Sequence, residues 1–269
     1  MKRTFEQIKE HYEIEKKLAY RLKHSEKEER KYLYTFLYDE LFRKIPHHPQ
    51  LIRKKDFSLI SWFVRTQLFF LKRFLRNDAV FVEIGAGDCN LSFNVCKIVK
   101  KVYAVDVSAV ITKAKKIPKN FELIISDGSS IPLKNSSVDV VYSNQLMEHL
   151  HPSDAIEQLI NIKDILIKGG KYICITPNRL NGPHDISKYF DDVSKGFHLK
   201  EYTFIEINKL FENIGFSFIY GYWGLYGLNV RIPLRLIFFV ESIIDFMPTK
   251  IRRWKLFKLI LDIKIIGVK

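Results

Sequence analysis

AVFVEIGAGDCN, residues 79–90, is the stretch whose reading decides the fold. Val80, Val82 and Ile84 alternate along it, and the alternation breaks at Gly85-Ala86-Gly87, just before a helix-like segment opens at Cys89. That pattern is a strand, a tight glycine turn and a helix N-terminus. A Cβ at either glycine would fill space that a nucleotide-like ligand needs, although an ordinary strand-to-helix turn looks the same. The segments that follow shift the balance. KVYAVD, residues 101–106, reads as a second strand ending in Asp106, about twenty residues past the turn, the offset at which an acid meets ribose hydroxyls. FELIIS, residues 121–126, is a third strand, with Asp127-Gly128 at the end where doubly wound sheets take ligands. VDVVYS, residues 138–143, opens onto Asn144-Gln145 and Glu148-His149, and KYICIT, residues 171–176, lies between Gly169-Gly170 and Pro177. Polar residues from all these strand ends reach one rim.

The motifs VEIGAGD, YAVDVS, ISDGSSIPL, VDVVYSNQLMEHL and GGKYICITPN, in that order, resemble class I S-adenosylmethionine-dependent methyltransferases of the small-molecule branch that includes quinone-pathway O-methyltransferases. The resemblance runs over about residues 79–222. It implies an α/β fold, a Rossmann-like seven-stranded sheet of six parallel strands and an antiparallel last strand, with helices on both faces. It also implies S-adenosyl-L-methionine as cofactor. Glu83, Gly85 and Gly87 would then line its methionine and ribose part, Asp106 would bind the ribose diol, Asp127 beside Gly128 the adenine amino group, and Asn144 would lie under the methionine end. Asp88 stands where many relatives carry a third glycine, a departure that argues more against a dinucleotide than against adenosylmethionine.

The 269 residues, 47% hydrophobic, suffice for one large α/β domain with appendages. A net charge of +14 admits nucleic acid, an anionic membrane surface or acidic small substrates as partners. Cys89, Cys96 and Cys174 lack paired metal-ligand spacing, fit a reducing compartment and read as packing residues. The first residues lack the apolar core of a signal peptide, and no uncharged run approaches the roughly 20 residues that span a bilayer, so a cytoplasmic protein is expected. Residues 1–75 read as a helical region. Ile14, Leu18, Leu22 and then Leu33, Phe36, Leu37 and Leu41 form stripes at helical spacing, suited to cover a flank of the core, to close over the cofactor or to contact a second copy. His47-His48 between two prolines has no third ligand nearby in sequence and reads as loop. Residues 76–222 and 263–269 form the expected core. IKIIGVK, residues 263–269, resembles the antiparallel seventh strand that closes this family's sheet between strands five and six. Residues 223–262 then become an insertion of two helices, apolar on one side and carrying Arg235, Lys250, Arg252, Arg253, Lys255 and Lys258 on the other. Such helices either dock at an anionic lipid interface, on the inner face of the membrane, or cap the domain.

A sulfonium methyl is already activated, so the protein must mainly hold nucleophile, methyl carbon and sulfur in line and dry. A hydroxyl acceptor benefits from a base, and histidine suits neutral pH. His149, His151, His184 and His198 follow strand ends, and His149, His184 and His198 are the leading candidates. Quinone-pathway relatives have an acid three residues before the glutamate that matches Glu148. Gln145 stands there, a poorer ligand for a hard cation, so no metal is assigned. The reading is methyl transfer, to oxygen before nitrogen or carbon, on a small metabolite, a lipid-linked precursor or a saccharide. Nucleic-acid methylation is the rival that the charge raises, but Ser143-Asn144-Gln145-Leu146 lacks the Asn/Asp-Pro-Pro-aromatic motif of amino-methylating DNA enzymes, and basic residues form no single stripe. A non-catalytic cofactor-binding or membrane-adaptor protein is the second rival.

Overall fold

The computed structural model describes residues 3–53, 57–108, 117–225, 228–254, 257 and 260–269. Its frame is one sheet of eight strands in the order β3-β2-β1-β4-β5-β8-β6-β7. The strands are β1 (Val80–Ile84), β2 (Lys101–Asp106), β3 (Phe121–Ile125), β4 (Val138–Asn144), β5 (Leu166–Thr176), β6 (Phe218–Leu225), β7 (Leu228–Ile232) and β8 (Ile263–Val268). β1 to β5 pair in parallel, and β8 runs antiparallel between β5 and β6. The chain order reverses beside β1, so the ends of β1 and β4 diverge and leave a crevice, the place where doubly wound sheets take ligands.

Seven of these strands are those expected from the sequence. The eighth, β7, is a correction, because Leu228–Ile232 pairs antiparallel with β6 inside the segment read as purely helical. Leu228, Val230 and Ile232 alternate with Asn229 and Arg231, but this short run leads straight into α8, and Leu228 and Val230 are exposed at the sheet edge. A second difference lies at the start of β5. The expected helix over residues 153–168 stops at Ile165, and Leu166 already pairs with Val138. Gly169, at φ +79°, turns the chain so that pairing resumes at Lys171. The expected helix at residues 89–100 is only α5 (Asn90–Val95), and the one expected over residues 108–116 lies, apart from Ser108, outside the described residues.

Helices cover both faces. On one, α4 (Phe57–Leu71) and α5 pack over Phe81, Val102, Tyr142 and Ile173. On the other, α6 (Pro152–Ile165), α7 (Phe204–Ile214) and α8 (Leu234–Asp245) share a core with Val82, Ile84 and Tyr172. Leu18, Leu22, Leu33, Leu37 and Leu41 join that same core from an N-terminal hairpin, α1 (Phe5–Lys23) and α2 (Lys27–Lys44). A capping box at Thr4 starts α1, and one at Thr203 starts α7, which Gly215 ends at φ +88°.

The hairpin is fastened by polar contacts as well. Arg30 meets Asp154 in a two-pronged, buried ion pair at 2.7 Å per bond, and Tyr34 Oη donates to the same carboxylate. Removing one partner of such a pair leaves a stranded buried charge. α8 is anchored differently. Its buried Glu241 accepts from Phe204 N and Ile205 N, the first-turn amides of α7, and from Asn178 Nδ2. Those amides lack helical partners and carry the positive end of the dipole, so a carboxylate there is stabilising. The second expected helix of the insertion appears as α9 (Thr249–Arg252); Lys255 and Lys258 lie outside the described residues.

Candidate active site

Two joined cavities, of about 750 Å³ and 1180 Å³, open at the crevice and share Tyr38, Gly85, Gly87, Asp88, Gln145 and His149. The first is walled by Gly85 and Gly87 of the turn after β1, by Asp106 after β2, and by Ser126 and Gly128 after β3. Gly87 has φ +53°, and a Cβ built on it meets nothing within 4 Å, so the missing side chain leaves open space along the cavity. The amide of Gly87 donates to Asp106 Oδ2 at 2.8 Å, and Ser108 N donates to Oδ1 at 3.0 Å. One carboxylate thus holds the glycine turn while lining the cavity.

Of the two residues expected beside the adenine, only Gly128 lines a cavity. Asp127 lines neither cavity. Its carboxylate accepts from Ser129 N, Ser130 N and Ser130 Oγ at 2.8–3.0 Å and closes its own turn. Gly128 does line the first cavity, but its φ of +100° and its bareness serve Tyr34, whose ring carbon would lie 2.8 Å from a Cβ. A tyrosine 94 residues upstream gave no sequence signal for that contact.

Glu83 and Asn144 line the second cavity. Glu83 is buried, and burial pushes its carboxyl up to about 8 even though Ser92 Oγ donates to it at 2.5 Å. It is largely protonated at neutral pH until a cation approaches.

The second cavity also gathers His149, His184 and His198. His149, in a 3-10 turn after β4, points Nδ1 at Phe197 O (3.0 Å) with Tyr38 Oη 2.8 Å from the same nitrogen. A carbonyl only accepts, so Nδ1 carries the hydrogen and Nε2 the lone pair. Burial pushes this ring down to about 3, and it is neutral at physiological pH. His198 is the opposite case. Burial lowers it, but the hydrogen bond from Nδ1 to Glu201 Oε1 (2.7 Å) and the nearby Glu148 charge outweigh that and raise it above 6.5. His184 donates from Nε2 to Asn178 O and Asn181 Oδ1, and its amide donates to Glu201 Oε1. The rings of His149 and His198 meet edge-on with centroids 4.7 Å apart.

Glu148 completes the group. It is fully buried and pushed up to about 7 by that burial, with Thr176 Oγ1 on Oε2 and no hydrogen bond to Oε1. One ligand atom each from Glu148, His149 and His198 lies within 4.8 Å of the others. Sequence reasoning missed Tyr38, Phe197 and Glu201, which orient these imidazoles. Tyr38 sits one helical turn from Tyr34, and only a tyrosine stripe on α2 could have flagged it.

Comparison with known proteins places the crevice in context. Residues 82–174 match a family described as a methyltransferase domain. A relative named "Uncharacterized methyltransferase" from Geobacillus thermodenitrificans is 26% identical over 155 residues, 51% of this chain and 69% of its own length. One from Mycolicibacterium smegmatis named "Probable S-adenosylmethionine-dependent methyltransferase" is 26% identical over 137 residues, 51% of each chain. A solved S-adenosylmethionine-dependent methyltransferase from Archaeoglobus fulgidus has the same fold, with a TM-score of 0.52 at 17% identity over 80% of this chain and all of that one.

Proposed function

Because residues 82–174 form a class I S-adenosylmethionine-dependent methyltransferase domain, we propose that the chain methylates a hydroxyl group on a small lipid-linked acceptor at an anionic membrane surface. The cofactor supplies an electrophilic methyl group, and the first cavity, with Gly87 bare and Asp106 facing inward, fits its nucleoside part.

The observation that carries the choice of a hydroxyl is the His198–Glu201 pair beside the second cavity. Glu201 takes the Nδ1 hydrogen, which leaves Nε2 to receive a proton, the arrangement that orients a general base. His149, neutral and with its Nε2 lone pair unprotonated, accepts a hydrogen bond from the acceptor and does not compete for its proton. His184, fixed by Asn178 and Asn181, shapes the far wall. Leu59 and Phe63 of α4 edge the cavity and are exposed, which suits an acceptor with an apolar tail.

The membrane surface rests on α8. Leu236, Phe239, Ile243 and Phe246 follow one another at helical spacing and are exposed, Phe239 to 63% and Phe246 to 92%. Arg231 and Arg235 flank the stripe on one side and Lys250 on the other. An apolar stripe with cationic ends fits an anionic headgroup layer. Among the described residues no helix is long and apolar enough to cross a membrane.

His198→Gln should lower turnover by about 10²–10⁴-fold and abolish the rate increase with pH seen as His198 loses its proton, while affinity for S-adenosylhomocysteine stays unchanged. Turnover within threefold of the parent would refute the base. Labelled methyl from the cofactor, given an extract of the source cells, should appear in the organic phase; label confined to the aqueous phase would refute the lipid-linked acceptor.

A further inference from the structure

His11, Glu15 and His48 lie outside the crevice chemistry described above, yet they form the second cluster of metal-ligand type among the described residues. His11 and Glu15 stand four residues apart on α1 and so share one helix face. His48 comes from the turn after α2, where His47-His48 has no third ligand nearby in sequence. The helical hairpin supplies that ligand and one more. All three residues are buried, with ligand atoms within 4.8 Å of one another, and the two rings meet edge-on at 4.6 Å. All three line the 1180 Å³ cavity, which gives an ion a path in and keeps one side of the cluster open.

We infer that His11, Glu15 and His48 bind a divalent transition-metal ion of the zinc type, with an open coordination position facing the second cavity. Two imidazoles and one carboxylate with a vacant fourth position are a recurrent zinc donor set. Bonds of about 2.1 Å place tetrahedral ligand atoms about 3.4 Å apart, so side-chain rotation opens the His11–Glu15 pair from 2.7 Å and brings the other spacings, none above 4.8 Å, to that value. Without metal, Arg3 Nη1 lies 2.8 Å from His11 Nδ1 while His11 Nε2 donates to Glu15 Oε2 at 2.7 Å. The ion takes the place of that shared hydrogen. Nδ1 then carries the hydrogen, and Arg3, ahead of the helix, turns away.

The site has a structural reach. Glu15 Oε1 accepts from Phe197 N at 2.9 Å, and Phe197 O is the acceptor for His149 Nδ1. An ion on Glu15 therefore fixes the hairpin and, through the single residue Phe197, the His149 imidazole.

The test titrates chelator-treated full-length protein with Co²⁺ and reads visible ligand-field absorption and stoichiometry, then displaces the cobalt with Zn²⁺. One equivalent should bind with tetrahedral or five-coordinate bands. Glu15→Gln and His48→Asn should weaken binding more than tenfold, whereas His198→Asn, in the other cluster, should leave it unchanged. Absence of binding by the parent at micromolar metal would overturn the inference, as would binding lost in His198→Asn and retained in His48→Asn. S-adenosylhomocysteine affinity reports that each variant is folded. If one is not, anomalous scattering from zinc-soaked crystals of the parent decides, by placing the ion beside His11 or elsewhere. Each of these readouts is independent of methyl transfer, so failure of the hydroxyl acceptor proposal leaves this inference standing.

Discussion

Replacing Asp106 by alanine tests the cofactor reading at its most specific point. In the protein its two oxygens accept from Gly87 N and Ser108 N. Both amides lie near solvent, so their loss is met by water and should cost folding no more than about 1 kcal/mol. The cofactor meets a larger change. Two hydrogen bonds from a ribose diol to a charged acceptor contribute about 1.5–3 kcal/mol each. Water entering the emptied corner recovers part of this, leaving about 3 kcal/mol, or roughly a hundredfold in Kd. Calorimetry with S-adenosylhomocysteine measures the affinity, and thermal melting without ligand checks the fold. A Kd within threefold of the parent, in a variant with a normal melt, would refute the placement of the ribose at Asp106.

Glu83, pushed up to about 8 by burial, makes binding a proton-linked event. The folded protein holds this proton between the ordinary 4.5 and about 8, so stability falls as pH rises across that window, and Glu83→Gln should flatten the fall in pH-dependent melts. At pH 7 a cationic cofactor should expel the proton, seen as calorimetric heats that vary with buffer ionisation enthalpy in the parent and not in Glu83→Gln. Arg30→Ala strands the buried Asp154 carboxylate and should cost about 3–5 kcal/mol, a fall of roughly 10 °C in Tm; a loss under 1 kcal/mol would mean that the hairpin is held by its leucines alone. Phe239→Ser with Phe246→Ser should abolish sedimentation with anionic vesicles at low salt while leaving the melt unchanged. Equal sedimentation of parent and variant would remove α8 as the docking face.

The sheet was legible because its signals are local. Each strand from 80 to 176 is a short apolar run with a polar residue at its end, and β1's glycine turn is readable from two letters. Asp106 could be placed by counting from that turn. Contacts made across the chain were not legible. Gly128 follows β3 and lines the first cavity, but the letters did not show that its bareness also accommodates Tyr34 on a helix far upstream. Nothing in the letters showed that the Asp127 carboxylate would also close its own turn by accepting from Ser129 and Ser130. His48 looked isolated for the same reason, since its neighbours His11 and Glu15 arrive only when two helices fold back. β7 escaped although Leu228, Val230 and Ile232 alternate with Asn229 and Arg231, because those five residues run directly into the apolar helix α8 and their apolar side faces out at the sheet edge.

Beyond its leucine face, the hairpin of α1 and α2 reaches the loops that end the strands. Tyr34 fills the hollow at Gly128, Thr35 donates to Val107 O, and Tyr38 reaches His149. These contacts fall on both sides of the cofactor cavity at once. Shortening the chain to its recognisable methyltransferase motifs would therefore do more than uncover a leucine surface. It would loosen the loops after β2, β3 and β4 together, and a protein cut this way should lose grip on cofactor and acceptor in a single step.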